Sequence, residues 1–579
     1  MPPTGRAGPR LRRAALTGAA IAVVASAGSL GAVAAQGAST AHYAKTAPAK
    51  RTAKIQGAGQ FAQINGSGSS WAALAIDEWT STLANNGITI NYSPIGSATG
   101  RDQFIQGLDD FAGTDPPFRN GGDKIAQTPP EVPHYGYSYI PDTAGGTAFM
   151  YHLTVGGQQV TNLRLSPKTI LDIFTGAVTN WDAPEITHDY GQQLPNIPIT
   201  PVVRTDGSGA TFFFTRWMSQ VFPSEWNAFC TKVTSGRVKA PCPETEFYPT
   251  NGPGWNAKGE NGSTAVADYI TSSYANGAIG YDEYAYAINS HYPVVKVLNP
   301  AGYYVLPTAS NVAVALTQAH INEDKTSPDF LQQDLDDVYT FKDPRSYPLS
   351  SYSYLIVPRQ STKIPPRFNN DKGATLSTFA NYILCAGQQN LAQLGYSPLP
   401  LNLVKGGLLQ AANIPGHVAG PNLNTLQGCD NPTFTNGVLT LLKDAAPPSP
   451  CDKLGEPLNC VVVDGKATTP GAGSSGSPGA TPSTGASGAP TIAPTPGVGN
   501  PADPGGTVPP GADPTTGPVP VAGGTPVAGT VVNVSNESAS PAVLSVLTAL
   551  AILTAIVLPP VLGAQLRRRR RQSTAGRGS

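Results

Sequence analysis

Short β-branched apolar runs alternate with amphipathic stretches from about residue 60 to about residue 445. Residues 88–92 have the composition of a strand, and residues 211–222 have the apolar spacing of a helix. Strands that alternate with helices in this way predict an α/β fold. The segment of nearly 390 residues exceeds what one hydrophobic core comfortably supports, so we expect two lobes.

Three predicted strands each end at a turn rich in glycine and serine, and a helix is predicted after each turn. The strands are residues 60–64, 88–92 and 199–204, and the helices are residues 72–83, residues 101–108 and a segment that starts at Ala210. The first turn of a helix has unpaired backbone N–H groups and partial positive charge, which suit an anion. Helix capping alone explains one such turn. Three of them, with Arg204 beside the third, indicate an anion-binding site.

The sequence lacks the motifs of nucleotide-binding loops and of hydrolases with a nucleophilic serine. The chain has no G-x-x-x-x-G-K-[ST] loop, no G-x-G-x-x-G that opens a βαβ unit and no G-x-S-x-G elbow. Its seven histidines are scattered without the spacing of metal ligands. We therefore expect no metal, no cofactor and no catalytic residue.

The two ends of the chain carry apolar segments of different kinds. Residues 1–35 have the basic start, the apolar middle and the Ala32-Val33-Ala34 cleavage site of a secretory signal peptide. Residues 541–566 predict a transmembrane helix, since 542–562 are 21 residues without a charge. The basic tail at 567–579 then lies in the cytoplasm. This predicts a single-pass protein of the cell membrane with an extracellular binding domain, although a sorting signal that is later removed remains open for the C-terminal segment.

Composition divides the exported part further. Residues 36–58 are expected to be a disordered lead-in, 59–445 the folded domain, 446–464 a cysteine-containing extension, and 465–540 a Pro/Gly/Ala/Thr-rich linker. The chain is formally neutral, but ten of its arginines lie at the two ends, which leaves 27 basic against 37 acidic residues between them. This acidic balance disfavours nucleic acid as a partner, so an anion would be held by local geometry.

Six cysteines lie in the exported part, and an even number in an oxidising compartment favours disulfides. Short loops favour the pairs Cys230–Cys242 and Cys451–Cys460, which leaves Cys385 with Cys429. A zinc site is the alternative, but no C-x-x-C pair is present.

Several stretches, in this order, are similar to motifs of the PstS-type phosphate-binding proteins of ABC importers, which are periplasmic-binding-protein-like proteins of class II. They are Gly66-Ser67-Gly68-Ser69-Ser70-Trp71, Tyr92-Ser93-Pro94-Ile95-Gly96-Ser97, Asp110-Phe111-Ala112-Gly113-Thr114-Asp115, Asp172-Ile173-Phe174-Thr175-Gly176 with Asn180-Trp181, Arg204-Thr205-Asp206-Gly207-Ser208-Gly209-Ala210-Thr211, Ile279-Gly280-Tyr281 with Glu283-Tyr284-Ala285-Tyr286-Ala287, Tyr347-Pro348-Leu349 and Leu394-Gly395-Tyr396-Ser397-Pro398-Leu399-Pro400. The resemblance covers about residues 60–405.

The resemblance implies two α/β lobes, at about 60–140 with 347–440 and at about 141–346, which clamp inorganic phosphate in the cleft between them. The ligand contacts that it implies are Ser70, Trp71, Ser97, Asp115, Arg204, Ser208, Gly209 and Ala210, with Asp206 orienting Arg204. Trp71 stands where the family usually has Phe, and Ala210 replaces a Thr, so one hydroxyl donor is lost.

The planar guanidinium of Arg204 can donate hydrogen bonds to two phosphate oxygens. The carboxylate of Asp115 can only accept a hydrogen bond, so it fits a ligand that carries a proton. The resemblance also implies the permease subunits of an ABC importer as partners. Two other functions stay open from the sequence. One is a membrane-anchored receptor or adhesin that retains the fold, and the other is a phosphatase-like hydrolase with Ser70 or Ser208 as its nucleophile.

Overall fold

The structure is a computed structural model, and it describes residues 61–359, 367–431, 433–435 and 438–469. The chain divides into two units, Met1–Ser477 and Pro478–Ser579, and every described residue lies in the first. The predicted signal peptide, lead-in, transmembrane helix and basic tail, and the linker beyond residue 469, lie outside the described residues. Within the described part, no helix is both long and apolar enough to cross a membrane.

The described chain combines strands and helices, as the sequence predicts for an α/β fold, although several strands follow one another without a helix between them. The strands are β1 Ile64–Gly68, β2 Ile90–Ser93, β3 Phe111–Thr114, β4 Tyr137–Tyr151, β5 Thr154–Val155, β6 Gln158–Gln159, β7 Arg164–Leu165, β8 Thr200–Arg204, β9 Asn251–Gly252, β10 Trp255–Asn256, β11 Lys258–Glu260, β12 Ala278–Glu283, β13 Lys296–Leu298, β14 Tyr304–Val305, β15 His320–Ile321, β16 Gln333–Asp334, β17 Ser350–Pro358, β18 Phe434–Thr435, β19 Val438–Leu439, β20 Val461–Val463 and β21 Lys466–Thr468. The helices are α1 Ala73–Ala84, α2 Ser97–Ile105, α3 Pro167–Thr175, α4 Pro184–Tyr190, α5 Gly209–Val221, α6 Pro223–Val233, α7 Gly262–Thr271, α8 Tyr284–Asn289, α9 Ala309–Ala315, α10 Asn370–Leu384, α11 Leu391–Leu394, α12 Leu401–Ala411 and α13 Thr440–Asp444.

An eight-stranded mixed sheet organises the fold, with the strand order β11-β8-β12-β4-β17-β3-β1-β2. Strands β1, β2 and β3 are parallel neighbours in one half, and β8, β11 and β12 are parallel neighbours in the other. The long strands β4 and β17 pair antiparallel between the two halves. The start of β4 pairs with β17 and its end pairs with β12, so this strand joins the halves. The boundaries of the two lobes remain a prediction.

The first strand differs from its predicted position. The sequence indicates residues 60–64, but β1 is Ile64–Gly68 and includes the glycines that we assigned to the turn. Glycine is needed there because neighbouring groups come very close. A Cβ on Gly66 would lie 2.4 Å from the Phe111 ring, and one on Gly68 would lie 2.0 Å from the carbonyl oxygen of Gly113. Close packing therefore overrides the usual weakness of glycine in strands.

The second helix also starts earlier than predicted, whereas the third strand and helix match closely. Helix α2 begins at Ser97 rather than at Arg101, directly after Gly96, whose φ of 93° favours glycine. Helix α5 begins after Ser208, whose hydroxyl accepts a hydrogen bond from the backbone N–H of Thr211. Ser208 is thus an N-cap in addition to any other role.

The six cysteines form the pairs predicted from loop length. The disulfides are Cys230–Cys242, Cys385–Cys429 and Cys451–Cys460. This confirms the pairing over the alternative of a zinc site, since a disulfide sulfur is not available as a thiolate ligand.

The C-terminal extension packs on the body of the domain. Lys296 Nζ lies 2.6 Å from an Asp452 carboxylate oxygen, and the backbone N–H of Leu454 donates to the carbonyl of Gly302 at 2.9 Å. The predicted linker begins at residue 465, but Lys466–Thr468 pairs with Val461–Val463. The turn between these strands is Asp464-Gly465, whose positive φ angles suit a two-residue hairpin loop.

Candidate functional site

Four strand-to-helix turns converge at the carboxyl ends of the parallel strands. Strand β1 leads to α1, β2 to α2, β8 to α5 and β11 to α7. In open α/β sheets, ligands bind outside the carboxyl ends of the strands. The first N–H groups of each helix have no partner within the helix. The turns before α1, α2 and α5 are those that the sequence indicates, whereas the turn before α7 was missed.

Arg204 lies at the end of β8 and is the centre of a buried polar cluster. Its Nε atom donates to Asp206 at 2.8 Å, and one of its terminal nitrogens also contacts the Asp206 carboxylate. The other terminal nitrogen, Nη1, donates to the Ser263 hydroxyl at 3.0 Å, while Nη2 donates to Ser70 at 2.7 Å. The guanidinium is 1% exposed. Arg204 thus joins the turns before α1 and α5 to the first turn of α7.

Asp115, which follows β3, is the centre of a second cluster. The Ser69 hydroxyl lies 2.9 Å and 3.0 Å from its two carboxylate oxygens, and the Ser97 hydroxyl donates to one of them at 3.2 Å. Its carboxylate also lies against the start of α5, because a Cβ built on Gly209 would be 2.0 Å from Oδ2. Asp115 is 2% exposed.

The two clusters form one site. The backbone N–H of Ala98 donates to the carbonyl of Gly207 at 3.0 Å, which joins the start of α2 to the turn before α5. A Cβ on Gly96 would lie 2.6 Å from a carboxylate oxygen of Asp206. These contacts bring groups from both halves of the sheet together, and side chains of the two halves hydrogen-bond directly.

Three tyrosines, of which Tyr286 and Tyr396 are buried and Tyr92 is half-buried, hold the turn that contains Ser70 and Trp71. Their hydroxyls donate to consecutive carbonyls: Tyr92 to that of residue 69 at 2.8 Å, Tyr286 to that of residue 70 at 2.6 Å, and Tyr396 to that of residue 71 at 2.6 Å. Because these carbonyls are occupied, the peptide planes of the turn are fixed. Their N–H groups are then fixed as well, which is the preorganisation that an anion site needs.

The remaining predicted residues also lie at the site. Trp71 is buried, and its ring meets that of Tyr396 edge-on, with 5.9 Å between the centroids. Its indole therefore has a packing role, which leaves its backbone N–H as the group that could bind a ligand. Gly209 and Ala210 are the first two residues of α5 and are both buried. Their N–H groups precede the one that Ser208 caps.

Burial and charge act in opposite directions on the acids of the site. Burial alone would raise the pKa of Asp206, but the Arg204 guanidinium and its hydrogen bonds outweigh it and hold the pKa below its usual range. Burial raises the pKa of Asp115, and this is only partly offset by serine hydroxyls and by Arg204. Burial also raises the pKa of Asp282 to about 6. Arg204 and Asp206 thus form an ionised pair that carries no net charge.

Sequence reasoning missed Ser69, Gly262 and Ser263. The backbone N–H of Gly262 donates to Asp206 at 3.0 Å, and the backbone N–H of Ser263 donates to the Ser70 hydroxyl at 3.1 Å. A signal was present, since Asn261-Gly262-Ser263 repeats the glycine–serine turn before a helix. It was missed because β11, which precedes it, has only three residues.

The chain matches the family model described as a PBP superfamily domain over residues 35–386. It therefore belongs to the PBP superfamily, whose α/β fold agrees with the sheet described above. It is 30% identical to the phosphate-binding protein PstS of Xylella fastidiosa (strain Temecula1 / ATCC 700964) over 346 residues, which are 59% of this chain and 83% of that protein. Within the superfamily, the chain belongs to the PstS-type family of phosphate-binding proteins.

A second curated relative agrees with this family. The phosphate-binding protein PstS of Methanocaldococcus jannaschii is 26% identical over 352 residues, which are 60% of this chain and 84% of that protein. Among solved structures, the fold is similar to that of a high-affinity periplasmic phosphate-binding protein bound with phosphate at pH 8.5. The TM-score is 0.44 at 18% identity, over 61% of this chain and 92% of that chain.

Proposed function

We propose that this protein binds inorganic phosphate outside the cytoplasm and delivers it to the permease of an ABC importer. Membership of the PstS-type family and the names of the curated relatives support this function. The ligand would lie where the four helix starts converge. Its proposed contacts are Ser70, Trp71, Ser97, Asp115, Arg204, Ser208, Gly209 and Ala210, with Asp206 holding Arg204.

The observation that carries the proposal is the buried Arg204 fork beside several helix starts. A guanidinium offers donors in a plane that matches two oxygens of a tetrahedral anion. Asp206 occupies Nε and one edge of the fork, which fixes its direction. The Ser70 and Ser263 hydroxyls that Arg204 now contacts are donors that could turn toward an anion. The N–H groups at the helix starts would complete the shell.

Asp115 would provide the selectivity for phosphate. A carboxylate repels an anion unless the ligand donates a hydrogen bond to it, and phosphate at neutral pH still carries a proton, whereas sulfate carries none. The serine hydroxyls around Asp115 stabilise its ionised form and support this role as an acceptor. Specificity would then come from an unfavourable contact with the wrong anion.

The halves of the sheet would act as two lobes that close on the ligand, with β4 and β17 as the joining strands. We further propose that residues 541–566 anchor the protein in the cell membrane and that the linker beyond residue 469, up to residue 540, forms a stalk. The 21 uncharged residues and the following arginines support the anchor. A flexible chain of this length would reach about 50 Å on average. The phosphate-binding domain would then lie on the extracellular side.

The test of this function is competition between phosphate and sulfate at fixed ionic strength. Asp115→Asn should weaken the rejection of sulfate, because an amide can turn its NH₂ toward a ligand oxygen. Arg204→Ala should weaken the binding of both anions by a similar factor, because a guanidinium binds oxygens of either anion and does not depend on the proton that phosphate carries. Arg204→Ala also leaves the Asp206 carboxylate without its partner. The double variant Arg204→Ala with Asp206→Asn removes that charge and is therefore the control. The assignment of Asp115 as the selective residue would be contradicted by one pattern of affinities. In that pattern, Arg204→Ala changes the ratio of the phosphate affinity to the sulfate affinity, and Asp115→Asn does not.

A further inference from the structure

Strand β4 contains an irregularity beside the proposed site. Along the pairing of β4 with β17, Ser353 is opposite Thr143 and Tyr354 is opposite Pro141, so Asp142 has no opposite residue. It is therefore the extra residue of a β-bulge. Bulges redirect a side chain and are frequent next to functional sites. This bulge lies in the strand that joins the two halves of the sheet.

The bulge places Asp142 close to Asp115. Tyr354 pairs with Thr114 of β3 on one side and with Pro141 of β4 on the other, and Asp115 directly follows Thr114. The Ser353 hydroxyl donates to the carbonyl of Thr114 at 3.4 Å, and it lowers the pKa of both Asp115 and Asp142. Of all charged groups, Asp115 has the largest effect on the pKa of Asp142. Two buried carboxyl groups thus lie near one serine.

The surroundings of Asp142 suit a neutral carboxylic acid. The residue is 0% exposed, and neither of its side-chain oxygens has a hydrogen bond of ordinary geometry to a described residue. Burial and then Asp115 raise the pKa of Asp142 well above its usual range, and the Thr143 N–H and Ser353 hydroxyl offset this only in part. An ionised carboxylate that is fully buried without hydrogen bonds would have a large free-energy cost of desolvation.

The other titratable groups near Asp142 do not provide a positive charge that would stabilise its ionised form. They are Tyr92 on β2, Tyr354 on β17 and Tyr396 before α12. A negative charge on Asp142 would raise the pKa of each of these tyrosines. Burial raises the pKa of each of these tyrosines well above its usual range, so they are neutral. By contrast, Asp115 is hydrogen-bonded by Ser69 and Ser97 and is attracted by Arg204.

We propose that Asp142 stays protonated beneath Asp115, so that one carboxylate rather than two faces the phosphate dianion. Asp142 is then a positioning residue that acts through Ser353 and Asp115. Its O–H can donate to the Ser353 hydroxyl, whose own proton can then turn from the Thr114 carbonyl to Asp115. Loss of the proton at alkaline pH adds a second negative charge below the ligand and weakens phosphate binding. The inference rests on the proposed phosphate site.

The test compares the pH dependence of phosphate binding in the wild type, in Asp142→Asn and in Asp268→Asn, an exposed control on α7. The range from about pH 8 to about pH 10 is suitable, because the dianion is the main form of inorganic phosphate throughout. We expect the affinity of the wild type and of Asp268→Asn to fall by at least tenfold over this range. The loss in Asp142→Asn should be at least tenfold smaller, since its amide has no proton to lose. Equal losses in all three proteins would overturn the proposal.

Infrared spectroscopy with ¹³C-labelled aspartate tests the protonated form directly, even if Asp142→Asn folds poorly. At about pH 8 the wild type should show the C=O band of a protonated aspartate, at a pH where Asp282, with a pKa of about 6, is ionised. The band should be absent from Asp142→Asn. A wild type without this band overturns the inference, whatever its affinity for phosphate. A wild type that shows the band but binds no phosphate would refute the proposed function instead.

Discussion

Gly209→Ala tests whether the start of α5 closes onto Asp115 when the ligand binds. A Cβ at residue 209 would lie 2.0 Å from Oδ2 of Asp115 and 2.4 Å from its Cβ, whereas real Cβ contacts are essentially never below 3.0 Å. The two groups must therefore separate by about 1 Å. This would misplace either the acceptor or the helix N–H groups. Losing one hydrogen bond to a charged group costs about 1.5–3 kcal/mol, which corresponds to about 10- to 150-fold weaker phosphate binding.

Isothermal titration calorimetry with phosphate measures this loss, and Gly121→Ala is the matched control. Gly121 is exposed, and a Cβ there would have no atom within 4 Å. Opening of the lobes would relieve the clash, and alanine favours a helix over glycine by about 1 kcal/mol. The melting temperature of Gly209→Ala without phosphate should therefore stay close to that of the control. If Gly209→Ala binds phosphate as tightly as Gly121→Ala, the close approach does not occur in the bound state and the reasoning is refuted.

Three other predictions follow from the site and the chain ends. Arg204→Ala should lower the unfolding free energy by about 3–5 kcal/mol in chemical denaturation, because it leaves Asp206 buried and unpaired; adding Asp206→Asn should recover part of this loss, and no recovery would refute the pairing argument. Phosphate at a hundredfold excess over its dissociation constant should stabilise the fold by about 2.7 kcal/mol, whereas an unchanged melting temperature in millimolar phosphate would contradict binding. A protease added to intact cells should release a fragment that ends within 465–540 and leave the basic tail protected; degradation of the tail in sealed cells would show that the orientation is wrong.

The sequence indicates the strand–turn–helix pattern well where packing is ordinary. The segment of β8, Ser208 and α5 combines a β-branched strand with a good N-cap and an apolar helix, so local propensity and tertiary structure agree. Two of the disulfide pairs also follow from their short loops, and the third follows by elimination. The start of β1 was misplaced because its Gly-Ser sequence lacks strand propensity. Only the close approach of Phe111 and Gly113 explains why that segment is extended.

Other features depend on contacts between residues far apart in the sequence. Ser263 reaches Ser70 across 193 positions, and no local signal shows this contact. Asp142 lies in the sequence between Pro141 and Thr143, and this local sequence is compatible with a turn or an exposed edge. Its burial depends on the register of β4 against β17, and that register changes at Ser353. Sequence patterns give the period of a strand, but a bulge is set by pairing with its neighbour.

The central claim is that the buried cluster around Arg204 and Asp115 is a site for inorganic phosphate. Calorimetric titration of the purified protein with phosphate and then with sulfate, at about pH 7.5 and fixed ionic strength, tests it most directly. The account predicts saturable binding of one phosphate per protein and a much weaker response to sulfate. No binding of phosphate, or equal binding of the two anions, would contradict it.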